Sequence, residues 1–159
     1  MRKPHVTFHL NRTLDKTMVH GFLKPGEKAG LDFVKAVTND HPGLKGKAKD
    51  LNYIKNYVDS YYVSNKDLLI KAKKRFQEKW DVVEGDFYKI VDSMFQGQTW
   101  PHGKYRGYIS IIQCGPRFLN TEEFQSSYKW EKNIISQVIH EMLHFQFYET
   151  VKNEGIQAN

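Results

Sequence analysis

Between positions 69 and 94, the apolar residues Leu69, Ala72, Phe76, Trp80, Val83, Phe87, Ile90 and Met94 return at steps of three and four. That spacing stacks them on one side of an α-helix, so it predicts one long amphipathic helix, or two joined near Gly85. An apolar stripe of that length needs other elements to cover it, which makes it a core stripe. Ser64 and Asp67, in the pattern Ser-x-x-Asp, read as the capping box that opens the helix. Gly97 and Pro101 close it.

The remaining segments supply the cover. Val6, Phe8 and Leu10 alternate with Thr7 and His9, as in a short strand. Pro25 and Gly26 precede a helical pattern through Leu31, Val34 and Val37, broken by His41-Pro42-Gly43. Leu51, Ile54, Val58 and Tyr61 mark a further helix. Residues 105–114 are rich in β-formers and read as a strand, turned by Gly115-Pro116. Residues 124–128 read as a second short strand, and residues 129–153, free of Gly and Pro, as a helix. The expected class is α+β: long helices packed with a small sheet. Residues 1–62 form an N-terminal helical segment or subdomain, and residues 63–159 the principal domain.

A chain of 159 residues, 40% hydrophobic, with ten Phe, nine Tyr and three Trp, has enough apolar material for a real core and is not a disordered segment. No stretch approaches the roughly 20 apolar residues of a membrane span, and the first positions lack a signal-peptide pattern. Cys114 is the single cysteine, so no internal disulfide forms. These features predict a cytoplasmic protein without a membrane partner. The net charge of +6 is scattered, and its one dense run, Lys71-Ala72-Lys73-Lys74-Arg75, lies within the long helical pattern, as on a solvated face. A nucleic-acid partner is the alternative reading of that charge. The chain has no Gly-rich phosphate loop and no Gly-x-Ser-x-Gly elbow.

The chemistry concentrates in His140-Glu141-Met142-Leu143-His144. Residues four apart on a helix are separated by about 40° of rotation and about 6 Å of rise, so both imidazoles project from one face and can bind one Zn2+ ion. Glu141 lies about 100° round from His140, where a carboxylate can serve as general base toward a water activated by the metal. Ile134, Ile135, Val138, Met142 and Phe145 face away from the His pair, and Leu143 and Phe147 share its side with Asn133 and Ser136. This helix is therefore expected to be buried nearly all round, with a metal ion as the partner its two His require. Tyr148, Tyr108 and His102 are the candidates to stabilise an oxyanion. His5, His9, His20 and His41 have nothing nearby in sequence that marks them.

Val138-Ile139-His140-Glu141-Met142-Leu143-His144-Phe145 resembles the active-site helix of the zincin metallopeptidases, of the gluzincin-like or SprT-like kinds. The order of elements over roughly residues 65–152 is similar too. The resemblance implies a zinc-dependent metallopeptidase acting on a peptide or protein substrate, with His140 and His144 as metal ligands and Glu141 as general base. It also implies that a strand near the motif helix, residues 105–114 or 124–128, binds extended peptide by strand addition. Phe147 and Thr150 stand where the metzincin version has Gly and His, so that version is excluded. Glu149 lies about 180° from His140, and Glu154 about 21 Å along the axis, so neither reaches the same ion from one helix. Gly155 marks the helix stop. Three accounts of the third ligand follow: the chain is a C-terminally truncated piece of a longer gluzincin-like protein, which is favoured; His102 or Cys114 supplies it; or two His alone bind weakly. The other functional readings are a SprT-like, DNA-associated protease and a non-enzymatic metal-binding or interaction domain.

Overall fold

The computed structural model describes residues 4–25, 27–28, 31–96, 100 and 103–155. The chain opens with β1 (Val6–Leu10), α1 (Arg12–Phe22), a small antiparallel pair β2 (Glu27–Lys28) and β3 (Leu31–Asp32), and α2 (Phe33–Asp40). Helices α3 (Leu51–Ser64) and α4 (Lys66–Met94) follow, then β4 (Tyr105–Ser110), β5 (Arg117–Phe118), β6 (Glu123–Ser127) and α5 (Ile134–Asn153). The main sheet has the order β1-β4-β6-β5. Its first three strands are mutually parallel, and β5 runs antiparallel to β6. The architecture is α+β, as the patterning predicts.

One face of the sheet makes the larger core. The register aligns Phe8, Gly107 and Phe124 across three strands. The Phe8 ring lies over Gly107, where a Cβ would come within 2.6 Å of it. Phe76 and Trp80 of α4 and Ile134, Val138, Met142 and Phe145 of α5 cover this face, all buried. Each large side chain so buried contributes about 1.5–3 kcal/mol. A second cluster joins Val19 of α1, Val37 of α2, and Ile54 and Val58 of α3 to Leu69, Ile111, Ile112 and Cys114.

Asp15 ties these parts together. It is fully buried on α1. Its carboxylate accepts hydrogen bonds from the hydroxyls of Ser110 and Tyr62, the Ile111 amide and the Gln125 side chain. Burial pushes its pKa up, and the four donors oppose that shift.

The open edge of β1 is covered by α4. Glu84 Oε1 accepts from the Val6 amide (2.8 Å) and Gln77 Oε1 from the Phe8 amide (3.0 Å), while Gln77 Nε2 donates to the Val6 carbonyl (3.0 Å).

Several sequence expectations are corrected, although α4 takes the first of its two expected forms, one helix that runs through Gly85 without a break. Ser64 does not open it: Ser64 ends α3, and Asn65 Nδ2 donates to the Tyr61 carbonyl, closing that helix instead. α2 begins at Phe33, capped by Asp32, and Leu31 belongs to β3. β4 stops at Ser110, because Ile111 and Ile112 turn into the second cluster rather than extend the strand. α1 has no counterpart in the patterning; its N-cap is Asn11, whose side chain accepts from the Leu14 amide. Gly26, Gly97 and Pro101 lie outside the described residues. No described helix is long and apolar enough to cross a membrane.

Candidate metal centre

α5 divides its surface differently from the even burial that its composition predicts. Ile134, Val138, Glu141, Met142 and Phe145 fall at steps of one, three and four on the side packed against the core, and all are buried. Ser136, His140 and Phe147 fall on the opposite side and are exposed, Phe147 by 53%. The helix is therefore half-buried, and the His pair faces solvent. The reason is geometric: a small sheet with α4 beside it covers one flank of α5, and no described element covers the other.

The two imidazoles converge on that open flank. His140 Nε2 and His144 Nε2 are 3.2 Å apart, with their rings nearly perpendicular at 82°. Two nitrogens bound to one tetrahedral zinc, each at about 2.05 Å, lie about 3.3 Å apart. The pair thus fits two positions of one ion; the same separation also suits an N–H···N hydrogen bond between neutral imidazoles. Tyr148, one turn further on, stacks on His144 with ring centroids 6.1 Å apart. Partial burial, then the nearby charges of Arg117 and His140, hold the His144 pKa below its ordinary value, which favours the neutral, ligand-competent ring.

Glu141 points inward, with 2% of its surface exposed. Its Oε2 lies 3.2 Å from Arg117 Nη1, and its Oε1 accepts from Gln137 Nε2 at 3.1 Å. Oε1 is also the oxygen nearer the His pair, 4.0 Å from His140 Nε2. Burial raises the Glu141 pKa, and the Arg117 and His140 charges pull it back. Arg117 belongs to β5, so the base candidate is held by an edge strand of the sheet. Gly115, two residues earlier, packs so closely that a Cβ there would lie 3.2 Å from Gln137 Nε2. An open cleft of roughly 550 Å³ runs past Gly115, Arg117, Trp130, Gln137, His140 and Glu141.

Other candidates fall elsewhere. Cys114 is buried in the second cluster, and burial pushes its thiol up to about 11, so it stays protonated at neutral pH. Among the described residues, no third His, Cys, Asp or Glu gathers with His140 and His144. His102 lies outside the described residues. Glu149 pairs with Lys152, and Glu154 caps the end of α5. The Tyr108 hydroxyl donates to Glu123 and lines a different cleft, near Asn11 and Phe118, so it is no oxyanion donor here. Neither β4 nor β6 is a free edge for strand addition: β4 lies between β1 and β6, and β6 between β4 and β5. The edge beside the motif helix is β5.

Arg117 and Gln137 are the site residues that sequence reasoning misses. Gln137 stands four residues before Glu141, a spacing that predicts contact. Arg117 meets Glu141 through tertiary folding, and no local pattern marks it. No protein family, curated protein or solved structure matches this chain.

Proposed function

We propose that the chain is a zinc-dependent peptidase of the zincin type, in which His140 and His144 hold the ion and Glu141 is the general base. One observation carries this reading: the two Nε2 atoms converge to 3.2 Å on an open flank, with Glu141 Oε1 4.0 Å from the nearer one. Zinc, when bound, supplies a Lewis acid that polarises a peptide carbonyl and lowers the pKa of water toward about 7. The chain's own residues do the rest. Glu141 Oε1 takes a proton from the attacking water and passes it to the leaving amine. Arg117, bonded to Oε2, fixes the carboxylate so that Oε1 stays turned toward the His pair. The cleft beside β5 admits an extended segment, whose backbone pairs with the free side of that strand.

Zinc content per chain in the full-length protein tests the ligands. His140→Ala/His144→Ala should lose one equivalent relative to wild type, and unchanged zinc would sink the proposal. Glu141→Gln should keep its zinc while hydrolysis of an unstructured protein substrate falls by about 10²-fold or more.

A second reading has its own support. Glu141 is buried and engaged by both Arg117 and Gln137, as a purely structural carboxylate would be. On that reading the His pair binds metal without catalysis, and Glu141→Gln leaves every activity unchanged.

A further inference from the structure

Another set of ligand-bearing side chains lies where β1 meets α4 and shares no residue with the α5 motif. His5 immediately precedes β1, and Asp81 and Glu84 are three apart on α4, so both carboxylates project from one side of that helix. One ligand atom from each of the three residues lies within 4.8 Å of the other two. His5 Nδ1 and Glu84 Oε2 are 2.7 Å apart.

The carboxylates are held from behind. Glu84 Oε1 accepts from Trp80 Nε1 (2.7 Å) as well as from the Val6 amide (2.8 Å), which turns Oε2 toward His5. Asp81 Oδ1 accepts from Gln77 Nε2 at 2.8 Å, and among the described residues no donor engages Oδ2. Gln77 is itself fixed by the Val6 carbonyl and the Phe8 amide. Outer hydrogen bonds that orient each donor group are the usual support of a metal site. A hydrogen bond between His5 and Glu84 accounts for two of the three residues. It leaves Asp81 beside a second carboxylate, an arrangement that repulsion disfavours and a divalent cation relieves.

We propose that His5, Asp81 and Glu84 bind a divalent transition ion of the zinc class and so clamp the start of β1 to α4. One imidazole nitrogen and two carboxylate oxygens suit zinc, with solvent completing the coordination. His5 and Asp81 are exposed, so the ion exchanges directly with solvent.

Calorimetric titration with Zn2+ alone tests the clamp on the full chain carrying His140→Ala/His144→Ala. One saturable equivalent is expected, weakened at least tenfold by adding His5→Ala or Asp81→Asn. Absence of saturable binding in the parent, or an affinity that neither added substitution changes, overturns the proposal. If the α5 substitutions unfold the chain, His5→Ala and Asp81→Asn in the wild-type background should each lose one zinc equivalent, and unchanged stoichiometry overturns it. The two centres fail separately, because each is removed by substitutions that leave the other intact.

Discussion

Glu122 is the residue under the most evident local tension. Its φ is 54°, in the left-handed region that a non-glycine side chain seldom occupies. Burial and the negative charge of Glu149 push its carboxyl up to about 7, against a partial counter-pull from Lys152. A raised folded-state pKa means the folded chain holds more proton than the unfolded one between about 4.5 and 7. Its contribution to stability is therefore fully present below that window and is lost as pH rises through it. Glu122→Gln should melt higher than wild type at pH 8, with the gap closing toward pH 4. Thermal unfolding across that range checks this, and a gap independent of pH would refute it. The α5 motif was legible at this same scale, because His140 and His144 are related by helix geometry alone. The inward turn of Glu141 was not, since Arg117 reaches it only through the folded sheet. His5, unremarkable among its sequence neighbours, meets Asp81 and Glu84 for the same non-local reason.

Among the elements, β4 has the tightest tolerance. A Cβ at Gly107 would meet Phe8 Cε1 at 2.6 Å and Phe124 Cζ at 3.0 Å, and Phe8 is wedged edge-on against both Phe76 and Phe124. Gly107→Ala should cost about 1–3 kcal/mol in chemical denaturation, the range for overpacking a filled core. A cost under about 0.5 kcal/mol would mean that Phe8 yields freely. α4 could be read from the sequence because its periodicity persists over many turns, and α5 because residues 129–153 hold no Gly or Pro, although the helix itself begins only at Ile134. β5 could not: two residues carry no period, and only pairing with β6 makes them a strand. Ile111 and Ile112 look like strand residues because they are β-branched, but burial in the second cluster satisfies them equally well. The putting together of Ser64 and Asp67 as a cap fails because Asn65 competes for the helix junction.

Across the whole molecule, Asp15 couples the two cores. Its carboxylate receives donors from α3, from β4 and the residue after it, and from β6, while sitting on α1. Asn at this position turns an N–H group toward one or more of those donors, so Asp15→Asn should cost about 2–3 kcal/mol. Urea denaturation measures the loss, and near-neutral stability would show that the network can rearrange. The side chains that α4 lays along β1 have a different kind of consequence. A sheet normally advertises two unfinished borders, and each invites any passing strand. Here Glu84 and Gln77 have already answered the Val6 and Phe8 amides of β1, so that stretch of the border is closed to recruitment. Growth of the main sheet is thereby turned toward β5, whose outer side no described strand pairs, on the flank where Arg117 meets Glu141.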